Sequence, residues 1–113
     1  MKILNYDELA PQGIDDKDAK GVTIRWLISK EDGAENFVMR FFEIEPGGNT
    51  PLHNHKHEHE VFIIEGEGAV WKEGNEISIK PGTAVFIPPD EKHCFFNKGE
   101  KQLKFICLIP NIN

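Results

Sequence analysis

From residue 22 onward, the chain alternates short apolar segments with residues that favour turns. The apolar segments are rich in Val, Ile, Phe and Trp, and Gly, Pro, Asn and Asp separate them. Turn signals recur about every eight to twelve residues, a spacing typical of an antiparallel sandwich or barrel. The predicted strands cover residues 22–29, 36–45, 59–64, 68–73, 76–79, 83–87, 93–97 and 102–109. The pattern therefore predicts an all-β fold.

The N-terminal segment has a different composition. Residues 7–20 are mostly polar and include the charged run Asp15, Asp16, Lys17 and Asp18. We predict an irregular arm over residues 1–20, with room for one short helical turn, and a barrel over residues 21–110. A chain of 113 residues is large enough for one core and too small for two, so a single domain is expected.

Several predicted strands are apolar on both faces. In the last strand Leu103, Phe105, Cys107 and Ile109 share the parity that is predicted to face inward, yet Ile106 and Leu108 on the other face are also apolar. Strands 59–64 and 36–45 have the same character. Strands of this kind are normally covered on both sides. With no helices available, we expect a second subunit to supply the cover, aided by the arm, and predict a homodimer.

Charge and composition limit the kinds of binding partner and the cellular location that can be expected. The formal net charge of -6 argues against nucleic acid and acidic membrane surfaces. No apolar run is long enough to span a bilayer, and residues 1–8 lack the apolar core of a secretion signal, so a cytoplasmic protein is expected. Cys94 and Cys107 are predicted to be free buried thiols, although a single bridge between them is the alternative. The expected partner is a small molecule.

Histidines form the densest chemical feature of the chain. Four of the five alternate with other residues in a short stretch, and the fifth, His93, follows much later. Side chains two apart on a strand point the same way, and neutral imidazole is a common ligand for divalent metals. The alternative is a solvated histidine-rich loop, which leaves His93 without a role. The pattern in the stretch is formed by His53, His55, His57 and His59.

The spacing around these histidines resembles the first motif of the cupins. That motif reads Gly, five residues, His-x-His, three or four residues, Glu, six residues, Gly. In this chain Gly47 is followed after five residues by His53 and His55, and three more residues lead to His59. Gly66 follows after another six. His59 therefore stands at the position of the usual Glu, which makes the chain similar to small single-domain cupins with a four-histidine site.

The second cupin motif is matched in the correct order. It reads Gly, five residues, Pro-x-Gly, two residues, His, three residues, Asn. Gly82, Pro88, His93 and Asn97 match it, while Asp90 replaces the second Gly. The resemblance covers about half of the chain. It implies a double-stranded β-helix, that is, a jelly-roll-like antiparallel β-barrel.

The resemblance also implies a metal and its ligands. The implied ligands are His53, His55, His59 and His93. Glu60 is a reserve ligand, and His57 is expected in a loop near the cavity mouth. Several four-histidine cupins are associated with manganese, whereas the donor set alone suits Fe, Ni, Co, Cu and Zn equally. Four neutral imidazoles leave the charge of a dication uncompensated, which favours an anionic or oxygen-rich exogenous ligand.

Three further residues are pocket candidates with two interpretations each. Phe105 either fills the core or forms a wall of the pocket, and both roles are compatible. Cys107 is either a small core thiol or a group beside the metal that could be oxidised. Arg40 is either an outward charge or an inward cation that orients an anionic substrate. Trp26 is expected in packing or an interface, and Asn97 in stabilising a turn.

The resulting functional hypothesis is a metal-dependent oxidoreductase of dioxygenase type. It would use oxygen or peroxide on a small organic substrate, as some cupins do. One alternative is a metal-dependent isomerase or lyase acting on a sugar or keto acid. Another is a non-enzymatic module that binds a small ligand or metal. A cupin barrel hosts many chemistries, so the resemblance does not select the substrate.

Overall fold

The computed structural model describes residues 1–111, and their regular structure is almost entirely β. Two short 3-10 helices, Tyr6–Glu8 and Lys30–Asp32, accompany nine strands in this range. The strands are β1 (Gln12–Gly13), β2 (Lys20–Ile28), β3 (Phe37–Asn49), β4 (His59–Glu65), β5 (Gly68–Lys72), β6 (Asn75–Ile79), β7 (Ala84–Ile87), β8 (Phe95–Asn97) and β9 (Leu103–Pro110). The predicted all-β class is confirmed.

The strands form one curled antiparallel sheet. Its order is β6-β5-β8-β3-β9-β4-β7, and β2 pairs with β3 and with the short β1. β3 pairs with three strands, β2, β8 and β9. Phe37 to Ile44 pair with β9, and Asn49 pairs with Phe96 of β8. Because one long strand serves different partners along its length, the sheet curls around a common interior.

The strand boundaries differ from the predicted ones by one or two residues at most places, and the differences in β3, β8 and the arm bear most on the fold. β3 continues to Asn49 instead of ending at residue 45, because its last residue still pairs with Lys20 of β2. β8 begins at Phe95 instead of residue 93. The arm is less irregular than expected, since its 3-10 turn is followed by β1, which pairs with Ile24 and Thr23 of β2.

The core lies inside the curl. The most deeply buried large side chains are those of Ile44, Ile63, Leu103 and Phe105, each at most 2% exposed. All four predicted inward residues of the last strand are buried, which confirms the parity assigned to that strand. Asn97 stabilises a turn as predicted, because its Nδ2 donates to the carbonyl oxygens of Ile44 and Lys101, both at 2.8 Å.

The N-terminal arm covers part of the outer face. The Tyr6 ring stacks on Phe41 with ring centroids 4.6 Å apart, and Arg25, which pairs with Glu43, lies over the same ring. Arg25 Nε also donates to the carbonyl oxygen of Leu9 at 3.0 Å. These contacts attach the arm to β2 and β3.

Two composition-based expectations can be compared with the structure. Cys94 and Cys107 are both free and buried, so the predicted thiols are confirmed and the alternative disulfide is absent between them. Residues 1–111 contain no helix with the length and hydrophobicity that crossing a bilayer requires.

Candidate metal centre

Two remote segments meet at the histidines through a backbone bridge. His53 and His93 form an isolated antiparallel pair, with N–H to O distances of 3.2 and 3.0 Å. His59 begins β4, opposite Ile87 of β7. The chain between His53 and His59 bends at residues 56–57 instead of staying extended. The shared parity that an extended segment would give therefore does not apply to this stretch, and tertiary contacts bring the rings together instead.

The implied ligands adjoin one another. His55 Nε2 lies 3.1 Å from His53 Nε2, and His55 Nδ1 lies 2.8 Å from His59 Nε2. The ring centroid of His93 is 5.1 Å from that of His53 and 5.3 Å from that of His59. The nitrogen atoms of His53, His55 and His93 lie within 4.8 Å of one another, a spacing compatible with a shared ion.

His57 and Glu60 occupy different environments. The His57 ring stacks on His55 and His59 at centroid distances of 4.6 and 5.0 Å, so that these three rings form a second close group. His57 nevertheless does not line the cavity described below. Glu60 is exposed on the outer face of β4, between Phe86 and Leu108 in the sheet.

Burial keeps the imidazoles neutral. Loss of solvent, together with the charges of neighbouring histidines and Arg40, lowers the pKa of His55 to about 4 and that of His59 to about 2. Burial also lowers the pKa of His53 and His93. His93 Nδ1 lies 2.9 Å from the carbonyl oxygen of Glu91. A carbonyl can only accept, so Nδ1 carries the proton and the lone pair is on Nε2.

This donor set fits a divalent metal. The histidines are neutral near pH 7, and metal ligation requires neutral imidazole. His93 is oriented by a backbone carbonyl, which is the usual outer partner of a ligating histidine. Imidazole nitrogens suit most first-row divalent ions, so the donor set leaves the identity of the metal open.

A cavity of about 300 Å³ opens beside the histidines. His53, His55, His59 and His93 line it together with the three pocket candidates Arg40, Phe105 and Cys107. The remaining lining residues are Ile14, Asp16, Ile24, Trp26, Phe42, Thr50, Pro51 and Phe95. The structure thus brings all seven sequence-predicted site residues to one cavity.

The pocket candidates contact one another. Cys107 Sγ lies 3.1 Å from His59 Nδ1 and 3.0 Å from Arg40 Nη2. Burial raises the pKa of the Cys107 thiol, while Arg40 opposes this effect. Phe105 is buried and stacks on Phe42 with centroids 5.2 Å apart, so it fills the core and walls the cavity at once. Of the two interpretations of Arg40, the inward one agrees with its position.

Sequence reasoning missed the aromatic wall formed by β2 and β3. Trp26 was expected only in packing or an interface, yet it lines the cavity, as do Ile24 and Phe42. The inward parity that Phe42 shares with Arg40 was a signal for its position. For Trp26 the signal was weaker, because its position depends on pairing with Arg40 across the two strands.

Comparisons with known proteins agree with this arrangement. The sequence profile of the cupin domain, Cupin_2, matches residues 40–109. An oxalate-binding protein from Thermotoga maritima is 32% identical over 113 residues, which cover 95% of this chain and 92% of the relative.

Solved structures are similar over nearly the whole chain. The polyketide cyclase RemF from Streptomyces resistomycificus has a TM-score of 0.93 and 33% identity, over 99% of this chain and 80% of that chain. A predicted oxalate decarboxylase from Thermotoga maritima has a TM-score of 0.85 and 29% identity, over 98% and 100% of the two chains. With motifs, fold and histidine cavity in agreement, this chain belongs to the cupin-domain family.

Proposed function

We propose that this cupin is a metal-dependent oxidoreductase of dioxygenase type that acts on a small organic substrate. The observation that carries the proposal is a set of neutral imidazoles facing a largely apolar cavity of about 300 Å³. Manganese is the metal we favour, by resemblance to the four-histidine cupins. A bound divalent metal would supply Lewis acidity and, if redox-active, one-electron chemistry with oxygen or peroxide.

The proposed ligands are His53, His55, His59 and His93. Their side chains line the same cavity, and His57 does not. Glu60 is a poor candidate because it is exposed on the opposite face of β4. The proposal therefore retains four histidines and no carboxylate.

The other cavity residues would bind and shield the substrate. Trp26, Phe42 and Phe105 supply apolar walls against which the body of a substrate would pack. Asp16 is the only acidic side chain among the described lining residues, and it is exposed. Its Oδ1 accepts a hydrogen bond from the backbone N–H of Asp18 at 2.8 Å. The absence of a buried carboxylate base from this lining favours oxygen chemistry over reactions that need such a base.

Two other functions have specific support. Similarity to a polyketide cyclase favours a metal-dependent isomerase or lyase, acting on a sugar or keto acid without net oxidation. Similarity to an oxalate-binding protein favours a module that binds a small ligand without converting it.

Metal content tests the ligand set. We expect His59→Ala to lose most of the metal measured by elemental analysis of the purified protein, because one donor is removed. Glu60→Ala and His57→Ala are the matched controls from the same segment and should retain the metal content of the unmodified chain. Retention in His59→Ala together with loss in Glu60→Ala would show that the assignment is wrong.

Oxygen dependence tests the reaction class. Protein loaded with manganese is incubated with a panel of small organic acids, with and without oxygen, and oxygen uptake and products are measured. Oxygen-dependent conversion that zinc-loaded protein cannot perform is the expected result. Equal turnover without oxygen and with zinc supports the isomerase or lyase, and recovery of a tightly bound, unchanged acid supports the binding module.

A further inference from the structure

One cation faces the cavity without an acidic partner. Arg40 lies in β3, directly between Trp26 of β2 and Cys107 of β9 in the sheet. Its side chain lines the cavity beside the histidines. Within residues 1–111, the ion pairs involve other basic groups, and no carboxylate pairs with this guanidinium. Arginine charges that lose solvent are normally paired with an acid, and this guanidinium has no such partner among the described residues.

The hydrogen bonds of Arg40 are also incomplete. Its Nη2 donates to Cys107 Sγ at 3.0 Å, and a thiol is a weak acceptor. Its Nε is buried and has no acceptor among the described residues. A guanidinium carries five N–H donors, and a buried donor without a partner is costly. An acceptor brought by a ligand would satisfy these donors.

Aromatic rings hold the guanidinium in place. Its Cζ lies 5.1 Å from the ring centroid of Phe42 and 5.6 Å from that of Trp26. Such rings attract a cation through their π faces and restrict its side-chain freedom. The guanidinium is half-buried beside them, which strengthens an ion pair formed there relative to one in bulk water.

The surroundings favour a carboxylate over a phosphate. A guanidinium matches the two oxygens of a carboxylate with parallel hydrogen bonds. Among the described lining residues, Arg40 is the only basic side chain besides the histidines. A phosphate dianion would be left with few donors in a cavity walled by Trp26, Phe42 and Phe105. The same walls suit an apolar group attached to the acid, and about 300 Å³ limits that group to a small one.

We propose that Arg40 is the carboxylate-binding residue of this cavity, and that the substrate class is small organic acids with an apolar body. That the acid is a substrate rests on the proposed function, whereas its binding requires only the cavity and Arg40. Arg40 would orient the acid with its carboxylate next to Cys107 and His59, whose contact places them on the same side of the cavity.

The test uses metal-free protein and a matched pair of probes. Benzoate and its neutral analogue benzamide have similar shape and differ in charge. Each is titrated into chelator-treated, ¹⁵N-labelled protein, and the N–H signals of the arginine Nε and tryptophan indole groups are followed by NMR. We expect benzoate to shift the Arg40 and Trp26 signals saturably and to bind at least about tenfold more tightly than benzamide. The signal of Arg25, the other arginine of the chain, should not move, because Arg25 pairs with Glu43.

Two variants separate charge from geometry. Arg40→Met, which keeps an apolar side chain at this site, should remove the preference for benzoate over benzamide. Arg40→Lys keeps the charge but not the paired donors, and should retain only part of that preference. Equal affinity of the unmodified chain for both probes, or inorganic phosphate displacing benzoate at equal concentration, would overturn the proposal even if neither variant folds.

The carboxylate-binding proposal and the dioxygenase proposal can be tested separately, with the metal content of the variant as a control. Arg40→Met should keep the metal content of the unmodified chain, since none of the proposed ligands is altered. If benzoate selectivity is found but no oxygen-dependent conversion of any acid, the carboxylate site stands and the dioxygenase proposal fails. If oxygen-dependent conversion is found with neutral substrates and benzoate selectivity is absent, the dioxygenase proposal stands and the carboxylate site fails.

Discussion

At the scale of single residues, the histidines are the clearest example of local environment setting chemistry. In solution each imidazole would gain a proton near pH 6.5, the ordinary value. Burial lowers the pKa of His55 to about 4 and that of His59 to about 2, because a charged ring would lose its solvent and adjoin other histidines and Arg40. The fold therefore keeps these rings in the state that can bind a metal.

These lowered pKa values predict an acid-sensitive metal-free protein. The unfolded chain binds protons at these histidines as the pH falls below about 6.5, whereas folded His55 and His59 stay neutral until about 4 and about 2. The free energy of unfolding is therefore highest above pH 6.5 and decreases as the pH falls through this window. We expect a lower urea midpoint at pH 5 than at pH 7.5 in chelator-treated protein.

A histidine variant provides the control for this pH dependence. His59→Asn removes one of the two groups, so the difference between the two midpoints should become smaller. The hydrogen bond to Lys2 lowers the pKa of Asp32 below its ordinary value of 3.8, so this carboxyl does not titrate between pH 5 and pH 7.5. Identical midpoints at pH 5 and pH 7.5 in the unmodified chain would contradict the assignment of neutral buried imidazoles.

At the scale of elements, a close backbone approach limits what β5 can carry. Gly68 pairs with Asn97 of β8 and Ile79 of β6. A Cβ at this position would overlap the carbonyl oxygen of Phe96 and lie 3.0 Å from Leu103 Cδ2. The absence of a side chain therefore allows β5 and β8 to pack against the core, a requirement that is invisible in the alternation of apolar residues.

We predict that Gly68→Ala lowers the free energy of unfolding by about 1–3 kcal/mol, the usual cost of overpacking a rigid site. The measurement is urea denaturation followed by circular dichroism. Gly13→Ala is the matched control: its φ is not positive, and a Cβ there meets nothing within 4 Å. The control should be neutral or slightly stabilising, and an equal loss in both variants would refute the packing argument.

At the scale of the whole molecule, an apolar outer face remains uncovered. Phe62 faces Ile106 and Ala84 in the neighbouring strands, and Phe86 lies on the adjacent strand. Phe62 and Phe86 are 48% and 56% exposed. The arm stacks Tyr6 on Phe41, whereas Phe62 and Phe86 keep about half of their surface exposed. An apolar patch that is the same on every copy suits a two-fold interface, in which it packs against itself.

We therefore predict a homodimer formed through this face of β4, β7 and β9. Analytical ultracentrifugation should give twice the mass of the chain, and Phe62→Lys should give the monomer with an unchanged circular dichroism spectrum. Ile77→Lys is the control, because Ile77 is similarly exposed but lies on β6, at the other end of the sheet order. A monomer in the unmodified chain, or dissociation by Ile77→Lys alone, would contradict this interface.

The sequence alone predicted the strands, the buried face of the last strand and the histidines of the candidate site. Apolar segments between turn residues predicted eight of the strands. Alternation along the last strand predicted the buried parity of Leu103 and Phe105, because side chains alternate between the faces of a strand. The resemblance of the histidine spacing to the cupin motifs implied four of the residues that line the cavity, His53, His55, His59 and His93. These signals are local or depend only on spacing along the chain.

Only the tertiary structure determines which residues that are distant in the sequence become neighbours. The sequence left Arg40 with two orientations, and the pairing of β3 with β2 and β9 is what directs it into the cavity beside Cys107. The bend at residues 56–57 and the bridge between His53 and His93 bring the rings together, which the spacing of the histidines did not specify. Local patterns specify which face a side chain takes, whereas long-range pairing specifies its neighbours, and those neighbours determine charge, solvent access and binding.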